Sequence, residues 1–365
     1  MNNKLVNAQA EIILPSVGLN EDIDFFTKTI GMQLNEIFPA DDPSVAVISG
    51  FGLRIRLEKG SLAPPSFIKI FVDTKSHLNE LKSNLTAPNG CKIEIIKTVE
   101  ELIMPKTNHE FVVRRLADQA PWVIGRAGMH YRDLIPSRLG GSIIASHIRI
   151  PDGGPVPDMV HYHTVGFQLI FCYKGWVDLV YEDQGEPFRL HQGCCVIQPP
   201  EIRHKVLFAS DNIEVIEIGV PAEHVTTIDH NMKLPNQTVN KNRKFKGQKF
   251  VHHKVKDAKW SQFRLSGFEA RDTTISDNTQ NIAGVQVARF IGGDGYWTSH
   301  NSDILFNFVM SGSLVLESEG KKSNQMKPGD AFVIPPNMKT KYSACTQDLE
   351  LLEVSLPGKF DTTVF

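Results

Sequence analysis

Short apolar runs bounded by glycine and proline recur through the chain after residue 110. Two examples are Ser142 to Ile150 and Gly284 to Ile291, in which β-branched and other apolar residues alternate locally with polar ones. Runs of this length and composition predict β-strands. Because long stretches of helical periodicity are absent, the pattern favours a closed antiparallel barrel or sandwich over a parallel sheet.

The first 105 residues have a different pattern. Ile23, Phe26, Thr27 and Ile30 recur at helical spacing within Glu21 to Ile30. Strand-like runs lie on both sides of this helix, so the predicted order is βαβββ. A second, shorter segment within residues 68–96 is predicted to form a strand, a helix and a strand. The predicted strands of the two segments are Ala10 to Leu14, Met32 to Ile37, Val45 to Ile48, Leu53 to Leu57, Ile68 to Val72 and Lys92 to Ile96, and the second helix is Lys75 to Leu85.

An internal repeat divides the rest of the chain. Phe111-Val112 recurs as Phe250-Val251, and Ile213 to Glu217 recurs as Leu349 to Glu353. Residues 111–227 and 250–363 are therefore one module present twice. Between the copies lies an Asn- and Lys-rich segment that we interpret as a solvated linker. The predicted domains are 1–105, 106–227 and 250–365, with the linker at 228–249.

Composition narrows the class of protein. The 39 basic and 41 acidic residues give a net charge of −2, which excludes a global attraction to nucleic acid or to an anionic membrane. The five cysteines form no CxxC pair and are too few for a disulfide framework, which favours a reducing compartment. No apolar stretch approaches the roughly 18 residues of a membrane span. We expect a cytoplasmic protein whose partner is a small molecule.

One stretch carries a pattern typical of metal ligands. His161 and His163 are two residues apart on a predicted strand, so their imidazoles point to the same face. Gln168 follows a predicted turn at Val165-Gly166, which lets its amide oxygen approach from the neighbouring strand. His204 lies at the start of a strand well downstream. These four side chains offer three nitrogens and one oxygen to a single ion.

The residues around these ligands resemble the two motifs of the cupin superfamily. The first motif has glycine, HxH, a carboxylate and glycine, as in Gly153 to Gly175, and the second has glycine, proline and histidine, as in Gly193 to His204. The resemblance covers each repeat and implies two double-stranded β-helix barrels. It assigns the role of metal ligand to four residues of the first copy, although most metal-binding cupins have Glu at the position of the Gln. The four are His161, His163, Gln168 and His204.

The first 105 residues resemble the vicinal-oxygen-chelate, or glyoxalase-like, module. The resemblance rests on Glu11 to Gly31 and on Leu53 to Glu58. Members that bind metal use His and Glu on strands, whereas the strands here contain no histidine, so we expect a structural or dimerising domain without metal. A homodimer is one outcome that this leaves open. The predicted fold class is thus mostly β: two tandem cupin barrels preceded by an α+β glyoxalase-like βαβββ domain.

The neutral ligand set determines what a bound metal could do. Three imidazoles and an amide leave a divalent ion with nearly its full charge, which makes it a strong Lewis acid. An octahedral ion would keep two open positions for a bidentate anionic substrate, or for substrate and dioxygen. We expect one divalent transition metal, with Fe(II) favoured over Mn(II) and Ni(II), and Zn(II) less expected.

The second copy retains little of this site. Its equivalents of the four ligands are Thr298, His300, Leu305 and Thr340. One histidine beside a leucine and two threonines cannot hold a transition metal, so we expect the second barrel to be metal-free.

The two copies also serve as an internal control, because residues present in both are expected to serve the barrel rather than the chemistry. This test assigns structural roles to five pairs, one of which removes Glu217 as a general base. The pairs are Trp122 and Trp260, Arg132 and Arg271, Asp133 and Asp272, Arg149 and Arg289, and Glu217 and Glu353.

Residues specific to the first copy are the remaining candidates. His147 becomes the proposed base, since Gln168 cannot accept a proton, with the alternative that it is a satisfied core histidine. Arg149 has a counterpart in Arg289, but it shares the strand face of His147 and could bind an anion there. Tyr162 either contacts substrate or packs outside the pocket, because strand alternation turns it away from its neighbours.

These features favour a metalloenzyme acting on a small oxygenated, anionic molecule. Oxidative cleavage by a non-haem metal dioxygenase is the first hypothesis, by analogy with cupin dioxygenases. The alternatives are a non-oxidative isomerase or lyase for a uronate or similar sugar, and a bicupin that binds a small molecule without turnover.

Overall fold

A computed structural model of the chain describes residues 8–73, 83–98, 102–118, 122–125 and 128–365. The chain divides into two compact units, residues 1–101 and 102–365, close to the first predicted boundary. Both units are built mainly of β-strands. No helix in the described ranges is long and apolar enough to cross a membrane.

The first unit has the predicted βαβββ order, followed by three more strands. Its helix buries Phe26 and Ile30 against the sheet and ends in a π-helical turn, Phe25–Thr29. One sheet has the order β1-β4-β3-β2, with β1 parallel to β4, and a second has the order β5-β7-β6. The elements are β1 (Ile12–Ser16), α1 (Leu19–Asp24), β2 (Gln33–Phe38), β3 (Val45–Gly50), β4 (Leu53–Lys59), β5 (Phe67–Val72), β6 (Asn84–Thr86) and β7 (Lys92–Lys97).

The predicted helix over 75–85 falls mostly outside the described residues, which resume at residue 83. Its last two residues were predicted wrongly. Asn84 and Leu85 belong to β6, which pairs antiparallel with β7 and places Leu85 opposite Ile93. The hydrogen bonds between β6 and β7 and the packing of Leu85 against the core favour a strand over a helix at these two residues. The glyoxalase-like character of this unit stays a prediction.

The first repeat of the second unit forms two sheets with a 3₁₀ turn at Leu116–Asp118 and another at Arg138–Gly141. Its strands are β8 (Val112–Arg114), β9 (Val123–Ile124), β10 (His130–Asp133), β11 (Ile144–Ile150), β12 (Gly154–Pro155), β13 (His161–His163), β14 (Phe167–Lys174), β15 (Trp176–Tyr181), β16 (Phe188–His191), β17 (Cys195–Ile197), β18 (His204–Ala209), β19 (Ile213–Val220) and β20 (Thr226–Ile228).

The linker and second repeat follow, with a 3₁₀ turn at Val255–Asp257. Their elements are β21 (Lys244–Phe245), β22 (Gln248–Lys249), β23 (His252–His253), β24 (Trp260–Gln262), β25 (Phe268–Asp272), α2 (Ile275–Asn278), β26 (Gly284–Phe290), β27 (Thr298–His300), β28 (Ile304–Ser311), β29 (Leu314–Ser318), β30 (Asn324–Met326), β31 (Ala331–Val333), β32 (Thr340–Ser343), β33 (Glu350–Leu356) and β34 (Thr362–Val364).

Each repeat builds a two-sheet module around its own apolar interior. The first module joins the seven-stranded sheet β23-β17-β14-β19-β11-β10-β9 to a six-stranded sheet with the path β16-β15-β18-β13-β20 and β12 beside β18. The second module joins β24-β25-β26-β33-β28-β31-β8 to β30-β29-β32-β27-β34. A third apolar cluster contains Leu169 and Phe171 of one seven-stranded sheet with Phe306 and Phe308 of the other. The two larger sheets therefore pack against each other, as the alternation along β14 and β28 requires.

The modules exchange their first strands. β8 opens the first repeat but pairs with β31 of the second, while β23 opens the second repeat but pairs with β17 of the first. Two buried arginines repeat this reciprocity. Arg132 Nη2 donates to Gly329 O at 2.5 Å, and Arg271 Nη2 donates to Gly193 O at 2.8 Å. This accounts for their presence in both copies: each bonds to a turn of the opposite repeat.

The segment between the repeats is packed rather than merely solvated. Arg243 Nη1 lies 2.7 Å from Glu182 Oε1 and 2.8 Å from Asp183 Oδ2, and Phe245 is buried in the first module. Gln248 is buried and donates to Gly166 O. The linker therefore forms part of the wall of the first module.

Candidate metal centre

Three of the predicted ligands meet in the interior of the first module. His161 and His163 lie on β13, and the antiparallel pairing of β13 with β18 sets His204 directly opposite His161. All three are buried, and one ring nitrogen of each lies within 4.8 Å of the others. This convergence follows from the two-residue spacing on one strand and the register with the next.

Hydrogen bonds fix the orientation of the three rings. His161 Nδ1 lies 2.7 Å from Met159 O, and His204 Nδ1 lies 2.9 Å from Ile202 O. A carbonyl only accepts, so both rings carry their proton on Nδ1 and present the lone pair of Nε2. His163 Nδ1 lies 2.9 Å from Thr226 Oγ1, a hydroxyl that can accept in the same way. Such outer partners set the tautomer that a metal needs.

Gln168 lies on β14, fully buried. Its Nε2 donates to Glu217 Oε1 at 2.7 Å, while its Oε1 is buried and accepts no hydrogen bond from the described residues. A buried amide oxygen without a partner is costly, and a nearby cation would satisfy it. The three converging imidazole nitrogens therefore fit a divalent metal, and the unpartnered amide oxygen of Gln168 is the candidate for a fourth donor.

The histidines line a cavity of about 80 Å³. Its wall is largely aliphatic, and among the described residues it contains no lysine or arginine. The polar groups on it are the three histidines, Gln198, Tyr131 and Glu217. Gln198 is anchored by donating from Nε2 to the Tyr181 hydroxyl at 2.9 Å.

Glu217 is the residue that the sequence reasoning misassigned. The repeat comparison gave it a structural role, but it lines the cavity beside the three histidines and bonds to Gln168. In the second copy Glu353 instead pairs with Arg264. The same residue type thus serves two environments. The alternation along β19 held a signal, because Ile213, Val215 and Glu217 share one face and only the last is charged.

We expect Glu217 to support the metal ligands. Replacing Glu217 by leucine should weaken metal affinity by about 10- to 100-fold, because the amide of Gln168 loses the acceptor that orients it. Glu217→Gln keeps an acceptor oxygen and should lose less. Competition with a chromophoric chelator measures both variants, and equal affinity for Glu217→Leu and the native chain would contradict this role.

The structure does not bring His147 to the cavity. His147 lies on β11, where Ile148 and Ile150 line the cavity and the alternate residues face the other way. Its ring contacts Tyr173 and Phe308, between the two large sheets. His147 is thus a bonded core histidine, and we correct its assignment as the general base.

Arg149 and Tyr162 also lie outside the cavity wall. Arg149 alternates with the same lining residues and donates from Nη2 to Asn212 Oδ1 at 2.6 Å. Tyr162 lies between the two histidines of β13 on the opposite face, with the Arg203 guanidinium 4.2 Å from its ring centre. The substrate-binding roles predicted for both have no support in their placement.

His147 belongs to a buried charge network that should make stability depend on pH. Arg132 Nη2 donates to His147 Nδ1 at 3.1 Å, and His147 Nε2 donates to Glu214 Oε2 at 2.7 Å. Burial lowers the pKa of His147. Burial raises the pKa of Glu214, but the hydrogen bonds from His147 and Lys174 outweigh this and lower it to about 2.

The stabilising effect of Glu214 should therefore be complete above its ordinary pKa of 4.5 and disappear as the pH falls to about 2. We expect Glu214→Gln to be less stable than the native chain at pH 7, with the difference shrinking between pH 4.5 and 2. Urea unfolding across this range measures the difference. A difference in unfolding free energy that stays constant down to pH 2 would show that the Glu214 carboxylate does not provide this stabilisation.

In the second module, His300 is buried and its Nε2 lies 3.1 Å from Ile334 O. Its companions Thr298, Leu305 and Thr340 offer no nitrogen ligand. Within the described residues, the three histidines of the first module form the one group of His, Cys, Asp or Glu with ligand atoms this close. The metal-free state of the second module stays a prediction.

The fold has known counterparts. The chain is similar to salicylate 1,2-dioxygenase from Pseudaminobacter salicylatoxidans, with 13% identity and a TM-score of 0.54 over 72% of this chain and 90% of that one. It is similar to a variant of oxalate decarboxylase OxdC from Bacillus subtilis, with 11% identity and a TM-score of 0.53 over 72% of this chain and 82% of that one. Protein Ylba from E. coli matches with 11% identity and a TM-score of 0.50 over 70% of this chain and 94% of that one.

No protein-family model matches the chain, and no curated protein matches it significantly. At identities of 11 to 13%, the structural likeness shows the fold and not the activity. It supports the cupin fold that the sequence motifs indicated, and it leaves the glyoxalase-like assignment of the first unit as a prediction. The chain therefore has a cupin-like, mostly β fold shared with a dioxygenase and a decarboxylase.

Proposed function

We propose that the chain is a metal-dependent cupin enzyme whose active site is the interior of the first module. The observation that carries this is the buried convergence of His161, His163 and His204, each with Nδ1 bonded outward. Gln168 would supply the fourth donor. When bound, Fe(II) or a similar ion supplies a Lewis acid with coordination positions open to substrate.

The reaction we propose is oxidative cleavage of a small oxygenated molecule, of the non-haem dioxygenase type. The likeness to salicylate 1,2-dioxygenase supports this at the level of fold only. The neutral donor set adds that the metal charge stays available to an oxygen-rich ligand. On this proposal residues 106–227 and 250–365 are tandem barrels, and residues 1–105 are a separate metal-free domain.

The cavity wall suggests what kind of substrate fits. Aliphatic side chains such as Ile148, Ile170 and Val215 surround most of it and exclude water from a bound molecule. Since no described lysine or arginine lines it, an anionic group has only the metal to meet its charge. We therefore propose a substrate with a compact apolar body and oxygen atoms at one end, facing the histidines.

Activity under air and without air tests the proposal. The full chain, loaded with Fe(II), is supplied with salicylate, catechols and small diketones while dissolved oxygen is recorded. Oxygen consumption that needs both metal and substrate supports the dioxygenase. Turnover that continues without air would support the isomerase or lyase instead. If the chain binds these molecules without metal and without turnover, the result would support the hypothesis of a non-catalytic binding protein.

A further inference from the structure

The interior of the second module contains a fixed cation. Phe263 and Leu265 follow β24 and belong to the apolar interior, and the guanidinium carbon of Arg264 lies 5.1 Å from the ring centre of Phe263 and 5.3 Å from that of Phe360. Its Nε donates to Glu353 Oε1 at 3.2 Å, and its Nη2 also bonds to that carboxylate. The guanidinium is thereby held in one orientation.

Arg264 stands among the counterparts of the metal-site residues. Glu353 corresponds to Glu217 in the repeat, and His300 corresponds to His163. Burial and, after it, the positive charge of Arg264 lower the pKa of His300 to about 4, so the two side chains are within electrostatic reach of each other. The second module thus has a permanent positive charge in surroundings where the first offers ligands to a metal ion.

A cavity of about 300 Å³ opens beside this guanidinium. Among the described residues that line it, Arg264 is the one charged side chain. Side chains that carry hydroxyl groups and aromatic rings line the same cavity. The hydroxyls belong to Ser266, Tyr296, Thr298 and Tyr342, and the rings include those of Phe263 and Phe268.

Two side chains at this cavity have hydrogen-bond donors beyond those used in the bonds to Glu353. Glu353 takes one edge of the guanidinium, whereas the group has five N–H donors in all. The Tyr342 hydroxyl is buried beside Arg264, whose guanidinium donates toward its oxygen, and its own O–H has no acceptor among the described residues. Burial raises the pKa of Tyr342, so this hydroxyl is protonated and available as a donor. A buried hydroxyl without an acceptor requires an explanation, and an acceptor group bound in the cavity would supply one.

We propose that this cavity of the second module binds a small carboxylate with a flat apolar body. A carboxylate accepts in parallel from the remaining edge of a guanidinium, and the neighbouring hydroxyls can donate to the same oxygens. The aromatic rings of the cavity wall can stack on the apolar body of the ligand and remove it from water. The site is independent of any metal in the first module.

Titration calorimetry with benzoate as the probe tests the proposal on the full chain. We expect saturable binding of one benzoate per chain. The neutral isostere benzamide should bind at least about tenfold more weakly. Arg264→Lys keeps the positive charge near Glu353 but loses the planar fork, and should weaken benzoate by about tenfold. Thr298→Val removes one hydroxyl at nearly constant volume and should weaken it by a few-fold.

His204→Ala is the matched control, because it damages the first module alone and should leave this binding unchanged. Binding that vanishes in His204→Ala but persists in Arg264→Lys and Thr298→Val would overturn the proposal by assigning benzoate to the first module. The absence of saturable binding up to about 10 mM would also overturn it. Circular dichroism verifies that each variant is folded before titration, and Thr298→Val decides the result if Arg264→Lys does not fold.

Discussion

Replacing His163 by alanine is expected to reduce the bound divalent metal from about one ion per chain to a trace. His163 supplies one of three nitrogens that lie within 4.8 Å of each other. Two imidazoles and an amide hold a transition metal far more weakly than three imidazoles and an amide. Any metal-dependent turnover should fall by at least about 100-fold with the metal.

The repeat supplies a matched control for this loss. His300 occupies the equivalent position of the second module and is buried to a similar degree. We expect His300→Ala to retain the metal, since its neighbours Leu305 and Thr340 are not nitrogen or carboxylate ligands. Metal analysis of both purified variants gives the comparison. Equal metal content in the two would show that the ion lies elsewhere.

The second large effect concerns stability. Phe308 is fully buried between the two seven-stranded sheets, where its ring centre lies 4.9 Å from that of Tyr173 and 5.6 Å from that of His147. Phe308→Ala should lower the free energy of unfolding by about 3 to 5 kcal/mol, because packed sheets relax little around the space left behind. It should weaken both modules together, since both contribute to this cluster.

Urea unfolding measures this change, with Phe365→Ala as the control. Phe365 is more than half exposed at the end of the chain, and its removal should change stability by no more than about 0.5 kcal/mol. A loss below about 1 kcal/mol for Phe308→Ala would mean that the contact between the large sheets contributes little.

The sequence predicted those parts of the centre that depend on local geometry. His161 and His163 share a face because alternation along a strand is invariant, and the predicted βαβββ order of the first unit is observed. His204 was found through the motif rather than through geometry. Its contact with His161 depends on the register between β13 and β18, which joins residues 43 positions apart.

Other features depend on which face of a sheet lines the cavity and which face packs against the other module. A comparison of the two repeats does not distinguish these faces. His147 and Arg149 were placed correctly on one face of a strand, but that face meets the other module rather than the cavity. The structural role predicted for Glu217 was misleading for a different reason. Its residue type recurs in both copies, whereas its partner changes from Gln168 to Arg264.

The exchange of β8 and β23 makes the duplicated chain resemble a two-fold symmetric dimer joined covalently. Arg132 and Arg271 bond reciprocally across it, as equivalent residues do at an interface between identical subunits. In a true homodimer, a substitution changes both sites at once. Fusion removes that constraint, so one half can keep its histidines while the other replaces them with a guanidinium and still completes its neighbour's sheet.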